Sequence, residues 1–210
     1  MGYWPEFLTV ALAHALAVAS PGPDFAIVLR QSLRHGRRAA IWTSVGIGCG
    51  LSVHIAYSLL GLGFLLKDSP RALFVMKCLG AAYLAWIGVQ ALRSRPRSGD
   101  IDLAGTAAAG PSDRAAWTTG FLVNMLNPKA ALFFISLFPL AVSPQTPRWM
   151  QAGYGAWMLV TTMGWFAFVS VAFTRPEVRA AFLRHGHWID RGLGVVFLGF
   201  AASLAVATLR

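Results

Sequence analysis

Long apolar stretches recur along the chain, each long enough for a helix to cross a lipid bilayer. Segments such as AALFFISLFPLAV are apolar on every side instead of alternating with period two, which indicates helices and not strands. The pattern therefore predicts an all-α, polytopic membrane protein. Its six predicted transmembrane helices are Tyr3–Leu29, Ala39–Leu66, Ala72–Leu92, Trp117–Val142, Trp149–Thr174 and Ile189–Leu209.

Composition supports lipid as the solvent of these segments. Of the 210 residues, 56% are hydrophobic and 12% are charged, so the chain has more apolar surface than one soluble core could bury. We therefore expect the lipid bilayer itself to be a partner of the protein.

The positions of the positive charges predict the topology. A net charge of +10 would suggest nucleic acid as a partner of a soluble protein. Here most Lys and Arg residues follow the first, third and fifth predicted helices. The positive-inside rule then places these Arg-rich loops in the cytoplasm and both termini outside, in a multi-pass protein of the bacterial cytoplasmic (inner) membrane. No nucleic-acid partner is predicted.

The two halves of the chain resemble each other. At one constant offset Pro21 falls on Pro128, Trp42 on Trp149 and Gly46 on Gly153, and further on LGAAYLAW matches LGVVFLGF. Residues 1–210 are thus predicted to form one transporter domain, with a first repeat at 1–92, a cytoplasmic linker at 93–116 and a second repeat at 117–210. Because each repeat has three helices, the copies must be inverted, which is typical of alternating-access transporters.

Prolines interrupt the first predicted helix of each repeat. Pro21, Pro23 and Pro128 have no N–H, so the carbonyls of Ala17, Ala19 and Asn124 lose their helical donors, and Gly22 weakens the first break further. Proline can simply kink a membrane helix. Unpaired backbone groups are costly in hydrocarbon, however, and breaks at matching places in two repeats predict a binding site.

A charged residue follows each break. Asp24 is explained either as an acid at the N-terminus of a half-helix or as a group that binds an ammonium or a proton. Lys129 lies too deep in its helix to reach the interface, so it either pairs with Asp24 or contacts a substrate. Asn124 and Asn127 flank the second break and are candidates for capping it or for hydrogen-bonding a solute.

Two histidines lie within predicted helices. His14 and His54 are each explained by a hydrogen bond between helices or by a place on a proton path, and Asp24 is the third candidate for that path. The Gly46–Gly50 spacing in GIGCG predicts close helix packing. We find no catalytic constellation and no metal-ligand or cofactor motif, so neither an enzyme nor a cofactor is predicted.

The quoted motifs resemble one known family. SPGPDFAIVLRQSLRHGRRAAIWTSVGIGCGLSVH, KCLGAAYLAWIGVQALRS and GFLVNMLNPKAALFF are similar to segments of the lysine exporter (LysE/RhtB) family of bacterial amino-acid efflux proteins. The resemblance implies six helices in two inverted halves and amino-acid export driven by proton or ion exchange. It marks two signatures, Pro21–Asp24 and Asn127–Lys129.

These observations predict a secondary transporter that exports an amino acid, held as a zwitterion between the two breaks. Its carboxylate would meet Lys129 and the free N–H groups after Pro23, and its ammonium would meet Asp24 and the carbonyls of Ala17 and Ala19. A neutral or hydroxylated amino acid, or a derivative of one, fits better than a dibasic one. A channel or scaffold for another small solute stays open as an alternative, as does the formation of a homo-oligomer.

Overall fold

The computed structural model describes residues 3–62, 70–95, 110–143 and 145–209. These ranges are helical and contain no strand. Their α-helices are α1 (Tyr3–Ala19), α2 (Pro23–Tyr57), α3 (Pro70–Leu92), α4 (Asp113–Met125), α5 (Pro128–Leu132), α6 (Phe138–Ala141), α7 (Arg148–Ala172) and α8 (Pro176–Leu209). The all-α fold class is confirmed for this part of the chain. Most of the predicted linker, at 96–109, lies outside the described residues.

Helix α2 is longer than the sequence pattern predicts. Residues 30–38 were expected to form a loop, but they are helical apart from Gly36, whose φ of 78° bends the helix. Arg, Gln and Leu favour helix in this stretch, and glycine is the residue that takes a positive φ at little cost. The first predicted membrane helix therefore divides into α1 and the start of α2.

The stretch predicted as one helix from Trp117 to Val142 is also divided. It breaks at Leu126–Asn127 and continues as α5, a π-helical segment at Phe133–Leu137, and α6. A second π-helical segment, Ser58–Leu62, follows α2. The two π-helical segments are in contact, because the Ser58 hydroxyl donates a hydrogen bond to the carbonyl of Phe134 at 3.4 Å.

Glycines bring α2 and α4 together at backbone distance. A Cβ on Gly46 would lie 2.0 Å from the Trp117 carbonyl oxygen, and one on Gly120 would lie 2.0 Å from that of Thr43. Gly50 meets the carbonyl of Phe121 in the same way. The close packing predicted from the Gly46–Gly50 spacing is confirmed, and it places Gly50 beside Asn124, next to the break after α4.

Large apolar side chains cover the outside of the helices. Leu8 and Leu12 are 50% and 60% exposed on α1, and Trp149 and Phe168 are exposed on α7. Polar residues are instead buried between the helices, which is the distribution expected in lipid. Among the described residues, Pro23–Leu60 and Arg148–Ala172 are apolar and long enough to cross a membrane.

The C-terminal helix also begins earlier than predicted. The chain was expected to enter its last membrane helix at Ile189, but α8 starts at Pro176. Ala, Leu and Arg, which are strong helix formers, are frequent in this stretch, and Pro176 is at a position that helix starts tolerate. As a result Asp190, which the prediction places in the first turn of that helix, lies well inside α8.

Candidate functional site at the two helix breaks

The first break separates α1 from α2. The last residue of α1 is Ala19, and α2 begins at Pro23, after Gly22 in an extended conformation without a side-chain cap. Proline at the first position of a helix is favourable because that N–H has no partner in any case. Asp24 therefore stands in the first turn of α2, near the positive end of its dipole.

The second break has the same plan, but here a side chain caps the new helix. Asn127 precedes Pro128 at the start of α5, and its side-chain oxygen accepts a hydrogen bond from the Lys129 N–H at 2.9 Å. Both Pro23 and Pro128 are first residues of their helices. A charged residue follows each of these two prolines, Asp24 after Pro23 and Lys129 after Pro128.

The two breaks meet inside the protein. The Lys129 ammonium donates a hydrogen bond to the carbonyl of Ser20 at 2.6 Å, with its stem packed across Gly22. In the other direction, the Asn124 amide donates to the Asp24 carboxylate at 2.9 Å. Each break is therefore held in part by a side chain from the other.

Asp24 and Lys129 do not form a direct ion pair in the structure, although their charges act on each other. The carbonyl that Lys129 contacts belongs to Ser20, and not to Ala17 or Ala19. Of these two, Ala17 faces the same small cavity as Asp24, whereas Ala19 and Pro21 face a different one. The structure thus brings most of the predicted residues together at one cavity, but Ala19 and Pro21 lie at the other.

A small cavity lies between the breaks, and we call it the polar cavity because polar and charged side chains are part of its otherwise apolar lining. Its volume is about 40 Å³. The lining includes Ala17, Ser20, Gly22, Asp24, Asn124, Asn127, Lys129, His14, Thr162 and Phe25. Within the described residues, Oδ1 of Asp24 and Oδ1 of Asn124 are buried and accept no hydrogen bond. Buried acceptors without a donor are costly in an apolar environment, so they indicate a place for a ligand that donates hydrogen bonds.

Both predicted histidines make hydrogen bonds between helices. His14 contacts the Thr162 hydroxyl on α7 at 3.0 Å and lines the polar cavity. His54 contacts the carbonyl of Asn124 at 2.9 Å through Nε2 and the Tyr57 hydroxyl at 3.0 Å through Nδ1. Tyr57 in turn donates to the carbonyl of Ala131 at 3.1 Å.

Sequence reasoning missed two residues near this site. Tyr57 lies one helical turn after His54, and that spacing is the signal that could have identified it. Asp190 is only 5% exposed; it accepts a hydrogen bond from the Ser94 hydroxyl at 2.6 Å, and its charge acts on Lys129. Asp190 was missed because the pattern placed it in the first turn of the last predicted helix, beside an Arg-rich loop.

A larger, mostly apolar cavity of about 430 Å³ lies next to the polar one. Phe25 lines both cavities and is 6% exposed. Its ring packs against Phe173 and Phe182, with ring centroids 5.5 Å and 5.0 Å away. Phe25 therefore stands between the two cavities, held by two rings that line the apolar one.

Comparison with known proteins decides the family. The family model described as LysE type translocator matches residues 15–208. The chain belongs to the LysE type translocator family. This LysE family chain is 33% identical over 201 residues to the threonine efflux protein of Escherichia coli, covering 96% of this chain and 98% of that protein.

Two further relatives agree with this assignment. The threonine efflux protein of Salmonella typhi is 31% identical over 96% of this chain and 98% of its own. A homoserine/homoserine lactone efflux protein of Salmonella typhimurium is 36% identical over 71% of this chain and 69% of its own. No solved structure matches the chain significantly. Membership in the LysE family makes the protein a membrane transporter and not an enzyme, and amino-acid efflux is the function that these relatives support.

Proposed function

We propose that this LysE family protein exports a small neutral amino acid, of the threonine or homoserine kind or a close derivative, by alternating access. The observation that carries the proposal is the pair of opposite charges at the two breaks, Asp24 and Lys129, beside buried acceptors that have no donor. The names of the threonine and homoserine efflux relatives support the same substrate class.

A zwitterion matches the chemistry of the polar cavity. The substrate ammonium would donate to the free Oδ1 atoms of Asp24 and Asn124. The substrate carboxylate would take the Lys129 ammonium from the carbonyl of Ser20. Asp24 and Lys129 are the charged residues in the described lining, so a second basic group on a substrate would find no carboxylate there.

The size of the cavity implies that the site must open. A volume of about 40 Å³ holds water but is far below the roughly 300 Å³ of ordinary small-molecule sites. Movement of Phe25 away from Phe173 and Phe182 would join the polar cavity to the apolar one of about 430 Å³. We therefore propose the apolar cavity as the route to the site on one side of the membrane.

The six-helix inverted repeat fits this mechanism. Its support in the fold is the equivalence of the two breaks and the contact of α3 with α8, where a Cβ on Gly194 would lie 2.8 Å from the Gly88 carbonyl oxygen. Two equivalent halves can open the site alternately to either side. We propose that Arg-rich connections face the cytoplasm, that the termini lie outside the inner membrane, and that a proton or another ion drives export.

Counterflow in proteoliposomes tests the proposal. Vesicles loaded with unlabelled threonine, homoserine, homoserine lactone or lysine would be diluted into the labelled compound, with wild type, Asp24→Asn and Lys129→Met. We expect uptake of the neutral compounds by wild type and a loss of at least about tenfold in both variants, because each removes one of the two charged groups.

The matched controls are Asp113→Asn and Arg38→Met. They make comparable charge changes in an exposed pair, and we expect them to retain uptake. Full uptake by both site variants would overturn the proposed site, and no uptake of any compound would overturn amino-acid export. A reporter inserted at Gly105 tests the topology separately, since it should be accessible from the cytoplasm.

A further inference from the structure

The hydrogen bonds of His54 determine which of its ring nitrogens must carry a proton. A carbonyl oxygen only accepts, so the Tyr57 hydroxyl must give its single proton to the carbonyl of Ala131. The Tyr57 oxygen can then only accept from Nδ1 of His54. The carbonyl of Asn124 likewise needs a proton on Nε2. All three hydrogen bonds exist together only when both ring nitrogens of His54 carry a proton.

We propose that His54 is the proton-binding group that holds the second break in this conformation, and that Tyr57 positions it. This inference rests on the proposed export function and adds the element through which a proton would act. A neutral His54 must give up one contact. If Nδ1 loses its proton, the Tyr57 hydroxyl either turns to Nδ1 and releases the carbonyl of Ala131 or stays on that carbonyl with its oxygen facing a bare nitrogen. If Nε2 loses its proton, the carbonyl of Asn124 is released from His54.

Both released groups lie at the second break. The Asn124 carbonyl loses its α-helical donor to Pro128 and, besides His54, accepts from the Asn127 N–H at 2.9 Å. Ala131 lies in α5, just before the π-helical segment at Phe133–Leu137. Lys129 lies in the same short helix. Loss of the proton would therefore loosen the backbone that places the Lys129 ammonium.

Asn124 links His54, the proposed proton-binding group, to Asp24, the proposed substrate-binding group. Its carbonyl accepts from His54, while its side-chain amide donates to Asp24. In the described part of the chain, Tyr57 on α2 contacts His54 directly, and the charges of His54 and of Lys129 on α5 both act on Asp24. On α1, His14 is bonded to Thr162 of α7 instead. A proton on His54 and an ammonium at Asp24 would thus act on the same asparagine.

Nitrogen NMR of the purified protein in liposomes without substrate reports directly whether each ring nitrogen of His54 carries a proton. The chain has five histidines, labelled with nitrogen-15, and His54→Gln identifies the signals of His54. In spectra recorded between about pH 5 and 8, the range in which histidine acts as a switch, we expect to find both nitrogens of wild-type His54 protonated, because its three hydrogen bonds require both protons. Tyr57→Phe removes the acceptor of Nδ1 and should lose most of that imidazolium signal at the same pH.

Transport supplies the second reading. Counterflow of threonine by wild type should change at least about fivefold across that pH range, and the profile should flatten in Tyr57→Phe and His54→Gln. Tyr83→Phe and His185→Gln are the controls, since Tyr83 packs on Trp86 in α3 and His185 is exposed on α8. Both should keep the wild-type profile.

The outcomes separate the two proposals. A neutral His54 throughout this range, or an unchanged profile in a folded Tyr57→Phe, overturns the role of His54 even where threonine is exported. An imidazolium signal that depends on Tyr57, without counterflow of any amino acid, supports the proton site and overturns the export function. If Tyr57→Phe does not fold, the wild-type signals alone decide whether both nitrogens carry protons.

Discussion

The two helix breaks have one plan but are held in different ways. At each, a proline begins the new helix and a charged residue follows it, as in Pro23–Asp24 and Pro128–Lys129. The first break has an uncapped glycine and is held from outside by the ammonium of Lys129 on Ser20. The second has its own cap, Asn127, and is held from outside by His54 and Tyr57.

Because the two breaks are held differently, we expect them to respond to different signals. A lysine ammonium that contacts a single carbonyl can exchange that carbonyl for a substrate carboxylate, so the first break should respond to substrate. An imidazole that needs two protons to keep its contacts should make the second break respond to pH. In the proposed mechanism, Asn124 transmits each response to the other break because it contacts both Asp24 and His54.

Asn124→Ala should have the largest effect. It removes the hydrogen bond of Asp24 Oδ2 and leaves a buried carboxylate without its amide donor, a loss of the kind that costs about 3 kcal/mol. We expect a large drop in the unfolding temperature in detergent and no measurable counterflow. Asn124→Ser, which keeps a short donor, should recover part of both, whereas equal losses in the two variants would show that the contact with Asp24 does not matter.

Gly22→Ala should have a smaller effect on stability and a clear one on transport. Its φ of −166° is accessible to alanine, so the backbone needs no strain. The new Cβ would lie 3.3 Å from Cδ of Lys129 and would push the lysine stem away from Ser20. We expect destabilisation of about 1 kcal/mol or less and a severalfold fall in counterflow.

The control for Gly22→Ala is Gly153→Ala. A Cβ on Gly153 would have no atom within 4 Å in the described structure, so this variant should behave as wild type. If Gly22→Ala transports at the wild-type rate, the position of Lys129 against Ser20 does not limit transport.

Sequence reasoning located the breaks because a missing N–H is a local property. Pro23 and Pro128 interrupt hydrogen bonding in any fold, and Asp24 and Lys129 are conspicuous in apolar surroundings. The pattern could not identify the carbonyl that Lys129 reaches. Which carbonyl accepts from Lys129 depends on how α5 approaches the end of α1, and in the structure it is that of Ser20.

The residues that were missed depend on tertiary structure in the same way. Tyr57 matters because α2 passes beside α5, where Ala131 offers a carbonyl. Asp190 matters because α8 packs against α3, which brings its carboxylate to the Ser94 hydroxyl. In both cases the helix was predictable but the neighbour was not.

Asn127→Ala should cost about 1 kcal/mol, the usual value of a helix cap. The Lys129 N–H loses its partner, whereas His54 and Tyr57 still hold the second break. We expect a modest fall in unfolding temperature, with Asn127→Asp recovering it because aspartate is an equally good cap. A loss as large as that of Asn124→Ala would mean that the second break depends on its own cap more than on α2.

The smallest effect should come from the exposed pair Arg38 and Asp113. Arg38, just after the bend at Gly36, contacts both carboxylate oxygens of Asp113 in the first turn of α4, at 2.9 Å and 2.7 Å. This contact also joins the two halves of the chain. Their side chains are 82% and 37% exposed, however, so water and salt weaken the interaction, unlike the buried contact of Lys129.

The pH dependence of Arg38→Met gives the sign of this interaction. Arg38 holds the pKa of the Asp113 carboxyl below its ordinary value, so the pair stabilises the fold above the unfolded pKa of about 3.9 and loses that contribution as pH falls through the lower folded value. Unfolding temperatures should differ slightly between wild type and Arg38→Met at pH 7, and the difference should vanish in acid or in high salt. A difference in unfolding temperature that persists in 1 M salt would mean that this exposed pair holds α2 to α4 as strongly as the buried contacts hold the breaks. Solvent exposure would then not explain which contacts are weak.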